Sequence, residues 1–212
     1  MSVNGDCLFL QTPQNKNILV DGGGNKYPLL LKYLLDKRIK KIDYMIVSHF
    51  DSDHSNGLIE VMKKIKVNRI IISKQSQESE EFIQFMEIAN KKKIAIQEIS
   101  KGDRIYFDKY VYIDVLYPNK ILEYEDLNNN SIVAKLNYNN FSILFTGDIG
   151  VQSEKDILKE YDKHILQSTV IKIAHHGSVG SSSFDFLEAV HPKIALIGVR
   201  KKQSLSVTLQ KM

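Results

Sequence analysis

His49-Phe50-Asp51-Ser52-Asp53-His54 places two imidazoles and two carboxylates within six residues, at the end of a β-branched, apolar strand. Imidazole suits zinc and other first-row metals, whereas carboxylates suit harder ions such as manganese. While the chain is extended, His49 and Asp51 point to one side, and the turn after them can bring Asp53 and His54 round toward a second, adjacent metal position. A polar turn in which Asp51, Asp53 or Ser55 caps a helix beginning near Asn56 would explain one of these side chains. It does not explain four ligand-type side chains at this spacing.

Two further clusters sit at predicted strand ends: Phe145-Thr146-Gly147-Asp148 and Ile173-Ala174-His175-His176-Gly177-Ser178. Alone, the first reads as a tight turn and the second as a surface pair or a satisfied half-buried histidine. Sites collect in loops at the carboxyl ends of sheet strands, so a fold that gathers these ends would join all three clusters. Gly22-Gly23-Gly24 fits neither a dinucleotide fingerprint nor a lysine-bearing phosphate loop. It reads as a tight turn burying Asp21 beside the site, and no nucleotide cofactor is expected. Cys7 reads as a small core side chain, and His164 and His191 as structural or exposed.

The elements that must position these residues alternate. Strands are expected at Cys7–Gln11, Asn17–Val20, Asp43–Ser48, Arg69–Ser73, Ile94–Ile99, Tyr110–Leu116, Ser131–Tyr138, Phe141–Thr146, Val170–Ala174 and Ile194–Val199. Helices are expected at Tyr27–Asp36, Gly57–Ile65, Glu80–Lys91, Ser153–Tyr161 (with Ser153 as N-cap) and Ser182–Ala189. Asn139-Asn140 suits a hairpin turn. The polar stretch Asn119 to Asn130 is the one long loop. Helices alternating with strands in both halves, around a hairpin-rich middle, predict an α/β (α+β) protein: two sheets packed face to face with helices outside, a four-layer αββα sandwich.

The chain has 212 residues, 43% hydrophobic and 25% charged, the composition of one globular domain. A single cysteine allows no intrachain disulfide, so packing must supply stability. Leu29 to Leu35, the densest apolar run, is interrupted by Lys32 and is far too short to cross a bilayer. The net charge of +4 comes from dispersed lysines, which read as a solvated surface.

Taken together, SHFDSDHSNGL resembles the H-x-[HD]-x-D-H motif of the metallo-β-lactamase superfamily, and Val20-Asp21-Gly22-Gly23 resembles its early strand-end motif. Within that superfamily the chain is similar to the hydrolase domain of ComEC-type DNA-uptake proteins: aspartate at position 51, Asn128-Asn129-Asn130-Ser131 before the hairpin, the His-His-Gly-Ser run, and an opening Val3-Asn4-Gly5-Asp6. The resemblance spans residues 3 to about 199. It implies two divalent metal ions, zinc or manganese. His49 and Asp51 would hold one, Asp53, His54 and His175 the other, and Asp148 would bridge them. Asp21 would stand behind the ligands. Asp53 would orient a metal-activated hydroxide, and His176, Ser178, Asn130 and Ser131 would contact phosphate or protonate the leaving oxygen.

The activity implied by the resemblance is phosphodiester hydrolysis on single-stranded DNA during DNA uptake. Other ester hydrolysis, of a phosphocholine ester or a lactam, and a catalytically impaired metal- or DNA-binding module are the alternatives. The family's segment carrying Gly-His-Pro does not come after Val199, so residues 200–212 are expected to be an atypical, truncated or frame-shifted tail. The chain as given is expected to be soluble: cytoplasmic if it stands alone, or on the outer face of the cell membrane as a fragment of a ComEC-type protein with a membrane channel as partner.

Overall fold

Strand β2 (Asn17–Val20) shows how the layers arise: Ile18 and Val20 face one way, Leu19 the other, and all three are buried. A strand buried on both faces needs apolar cover on both. The computed structural model, which describes residues 5–24, 27–74, 79–121 and 124–198, supplies that cover with two packed sheets, each carrying helices on its outer face. This is the αββα arrangement expected. Residues 199–212, and with them the expected tail, lie outside the described residues.

The first sheet has the order β1-β2-β3-β4-β5, with β1 (Leu8–Gln11), β3 (Lys41–Ile46), β4 (Lys66–Ser73) and β5 (Ala95–Ile99). β1 and β2 form an antiparallel pair, and β2 through β5 run parallel, linked by α1 (Tyr27–Asp36), α2 (Ser52–Lys64) and α3 (Glu80–Lys91). Leu30 and Leu34 of α1, Leu58 and Met62 of α2, and Phe85 and Ala89 of α3 pack on its outer face. That spacing of four residues in each pair is the helical apolar stripe.

The second sheet is ordered β11-β10-β9-β8-β7-β6. β6 (Arg104–Tyr106), β7 (Val111–Tyr117), β8 (Val133–Tyr138) and β9 (Phe141–Phe145) form an antiparallel meander; β10 (Val170–Lys172) and β11 (Ile194–Leu196) continue it parallel to β9. Helices α4 (Val151–Glu160), α5 (Lys163–Leu166) and α6 (Phe184–Val190) cover its outer face through Ile157, Leu166 and Phe186. Between the sheets, Val20, Ile46 and Ile71 meet Ile113, Val115, Ala134 and Phe145.

Several boundaries differ from expectation for local reasons. Helix α2 starts at Ser52 rather than Gly57, because the Asp51 carbonyl already accepts the amides of His54 and Ser55. The ligand-rich segment is therefore the first turn of a helix. Helix α4 starts after Gly150, and Ser153 does not cap it; the Ser153 hydroxyl donates to Asn129 instead. β10 stops at Lys172 because His175, His176 and Gly177 all take positive φ, which a strand cannot continue. β6 and α5, of three and four residues, are too short for either periodicity to register. Cys7 is exposed, not a core side chain. Asn139 turns the β8–β9 hairpin at φ 49°.

Candidate metal centre

The carboxyl ends of β2, β3, β9 and β10 meet at one edge of the sandwich. From them come Asp21, the His49–His54 segment, Asp148 and the His175-His176 pair. β1 runs the other way, so it is the segment before its amino end, with Asp6, that arrives at the same edge.

Close backbone approach makes this possible. A Cβ on Gly57 would lie 1.7 Å from the Gly22 carbonyl oxygen, and one on Gly22 would lie 2.3 Å from Leu58 N. The Gly22 amide donates to the His54 carbonyl, the Gly23 amide to that of Asp6, and the Gly57 amide to that of Gly23. Glycines at 22 and 57 thus let α2 lie against the β2–α1 turn and carry His54 into the interior.

Three imidazoles in this site share one arrangement. His54 turns Nδ1 toward Asp21 Oδ2 at 3.0 Å, and Nε2 toward Asp148 Oδ2 at 3.3 Å. His176 turns Nδ1 toward the Gly198 carbonyl at 3.2 Å, and Nε2 toward Asp53 Oδ2 and Asp148 Oδ2, each at 3.4 Å. His49 has Nδ1 3.0 Å from the Ser48 hydroxyl, and Nε2 3.7 Å from Asp51 Oδ2. The Ser48 hydroxyl donates to Asp21, so it can accept from His49. All three Nε2 atoms are buried without a partner in hydrogen-bond geometry. A neutral imidazole anchored through Nδ1–H presents a lone pair at Nε2, which repels a carboxylate oxygen unless a proton or a metal ion lies between them. The donor set therefore fits a divalent cation.

The charges agree. Among the described residues, Asp6, Asp21, Asp51, Asp53 and Asp148 bring five carboxylates to the site, against one ammonium, that of Lys172. Burial raises the Asp51 carboxyl above its ordinary range, and the neighbouring charges of Asp53 and Asp148 add to the effect. Burial would also raise Asp148, but His54, Lys172 and His49 outweigh it and hold that carboxyl far below the usual range. For His54, Asp21 and Asp148 overcome a burial penalty and hold the proton on the ring. His176 behaves likewise: burial lowers it, yet Asp53 and Asp6 push it up to about 9. His49 is kept neutral, first by burial and then by the charge on His54.

Asp6, His54, Asp148 and His176 bring ligand atoms within 4.8 Å of one another. His175 does not join that group; its half-buried ring stands 6.4 Å from that of His176, and its charge is felt by His49. Asp51 occupies the N-cap position of α2, yet its side chain makes no cap hydrogen bond. The Ser131 hydroxyl accepts from the Asp148 amide at 3.2 Å, while Asn130 is buried and donates to the Asp126 carbonyl at 3.4 Å. Ser178 is exposed, and its carbonyl accepts from Ser181. Asp6 was not expected at the site, because it precedes a strand rather than ending one; the Val3-Asn4-Gly5-Asp6 resemblance was the signal available. Lys172 was not expected at all, since a lone lysine ending a strand carries no motif of its own.

A metallo-β-lactamase superfamily model matches residues 3–199. The chain belongs to that superfamily, whose fold implies divalent metal ions and hydrolytic chemistry. It is 28% identical over 215 residues to the ComE operon protein 3 of Bacillus subtilis (strain 168), covering 93% of this chain and 27% of that protein. It is also 28% identical over 158 residues to the Competence protein ComA of Neisseria gonorrhoeae, covering 74% of this chain and 20% of that one. The chain thus spans about a quarter of the length of the curated relatives it matches, and these are ComEC-type competence proteins. Among solved structures, a CmlA beta-hydroxylase mutant superposes with a TM-score of 0.60 at 12% identity, over 92% of this chain and 44% of the other, and so shares the fold. No helix among the described residues is long and apolar enough to cross a membrane.

Proposed function

We propose that this chain is a binuclear metal-dependent phosphodiesterase acting on single-stranded DNA, as the hydrolase unit of a DNA-uptake system. The observation that carries the reading is the convergence of three buried Nε2 atoms, each facing a carboxylate oxygen with no hydrogen bond to it. The excess of four carboxylates over ammonium groups matches two divalent ions in formal charge when the imidazoles are neutral.

In this reading His49, Asp51 and His175 would hold one ion, and Asp53, His54 and His176 the other, with Asp148 between them. His176 takes the place beside Asp53 and Asp148 that the family resemblance gave to His175, because its Nε2 faces both carboxylates at 3.4 Å. Bound there, zinc or manganese supplies Lewis acidity toward the phosphodiester and its attacking water. The chain's own residues supply the rest. Asp21 orients His54 through Nδ1, and Ser48 orients His49. Ser131 fixes the backbone at Asp148. Asp53, partly exposed beside His176, orients the attacking water and accepts its proton. The exposed Ser178, two residues beyond His176, reaches the phosphate at the rim. DNA as the substrate rests on the similarity to competence proteins.

The purified protein should bind about two equivalents of zinc or manganese and cut single-stranded DNA, and Asp148→Asn should abolish cutting while leaving the fold intact. Unaltered cutting by Asp148→Asn would dismiss this site. Turnover of chromogenic phosphocholine or lactam substrates with DNA left whole would favour the other ester readings, and salt-sensitive DNA binding without turnover an impaired module.

A further inference from the structure

Lys172 is the one lysine buried among the described residues. It ends β10 on the face turned toward the first sheet, one position after Ile171, which faces the outer helices. Its Nζ donates to the Gly147 carbonyl at 2.6 Å and to Asp148 Oδ1 at 3.0 Å, and pairs with Asp6 Oδ2. The ammonium thus has two hydrogen bonds and two carboxylate partners. Beneath it lies a small cavity between the sheets, with walls that include Leu8, Val20, Ile46 and Phe145.

An ammonium in so apolar a place is costly unless paired, and the same holds for the two carboxylates it touches. Asp6 and Asp148 are each about as buried as Lys172. Remove the ammonium, and two buried carboxylates face each other with only the imidazoles between. A divalent ion would balance them, but only while bound.

We infer that Lys172 is a positioning residue acting as the site's resident cation, holding Asp148 in ligand geometry and Asp6 behind the ligands whenever no metal is bound. By occupying Asp148 Oδ1 it leaves Oδ2 to face His54 and His176. The inference rests on the proposed metal site. It explains why the ligand set can be preformed, and it makes the metal and Lys172 partly interchangeable in stability.

The test is the melting temperature of Lys172→Met, nearly isosteric and uncharged, in chelator and in saturating manganese, with bound metal counted. The variant should melt about 10 °C below the wild type in chelator, and much closer to it with metal. Lys172→Arg should fall between. The double variant Asp6→Asn with Lys172→Met, which removes one charge of each sign, should regain part of the loss in chelator. Equal loss with and without metal, or no loss, would overturn the proposal. If Lys172→Met does not fold in chelator, recovery of folded protein in the double variant supports the inference and no recovery overturns it. A wild type that binds no metal defeats the proposed function instead, and the chelator comparison between single and double variants still judges Lys172.

Discussion

Asp21 and His54 are joined by a 3.0 Å contact from Oδ2 to Nδ1, while the other Asp21 oxygen accepts the Ser48 amide at 2.8 Å. One carboxylate at the end of β2 thereby sets the ring orientation of a ligand on α2 and pins the loop that precedes it. Such a partner fixes the tautomer and raises the basicity of the coordinating nitrogen.

Asp21→Asn keeps the shape and weakens that control. Metal affinity measured by calorimetry should fall about 10- to 100-fold, the usual effect of losing such a partner. Unchanged affinity would separate Asp21 from the metal site.

Metal affinity should depend on pH through His176. In the metal-free protein its imidazole titrates near 9, above the ordinary 6.5, with burial opposing and Asp53 and Asp6 prevailing. A raised value means that the stabilisation from its charged form is complete below 6.5 and disappears as pH rises through about 9. A metal must displace that proton. His54, whose proton Asp21 and Asp148 hold up to about 10, adds a second such proton. Affinity should therefore climb about tenfold per pH unit per proton released up to about 9, less steeply to about 10, and then flatten, while the melting temperature of the chelated protein declines over the same interval.

Gly57→Ala places a Cβ against the Gly22 carbonyl, inside any permitted contact. Displacing α2 to relieve the clash should cost about 1–3 kcal/mol in urea denaturation and loosen metal binding at the same time. Gly102→Ala is the contrasting control: its φ is +95°, and nothing lies within 4 Å of the added Cβ. It should strain its own turn and leave metal affinity alone.

Phe85→Ala removes a fully buried ring of α3 that packs edge-on against Phe50. A loss of about 3–5 kcal/mol is expected. Phe50 lies inside the ligand segment, so metal affinity should fall as well.

The four layers were legible because β2, α1 and α3 carry unmixed periodicities, and these elements begin and end where the residues say they should. The HFDSDH segment stood out by density alone, and Asp148 lies opposite it as the sandwich topology requires. What the residues concealed were relations across the sheets. Asp6 enters the site only because β1 is reversed relative to β2, a fact of register that no local pattern carries. His176 rather than His175 comes beside Asp53 and Asp148, because consecutive left-handed residues swing the chain in a way that ligand spacing in a strand or helix cannot anticipate. Lys172 was invisible for a similar reason: a lysine at a strand end is ordinarily solvated, and its partners come from residues 6, 147 and 148.

The pairing of Asp6 with Lys172 also has a mechanical side, since Asp6 leads into the first sheet and Lys172 ends a strand of the second. The seam between the sheets is otherwise mostly apolar, but at its other margin Asp108, beyond β6, accepts from the Thr12 side chain and the Gln14 amide, beyond β1. With a charged rivet at one margin and this clasp at the other, the halves should part together rather than peel from one side, and the amides of β2 and β10 should exchange only through global unfolding.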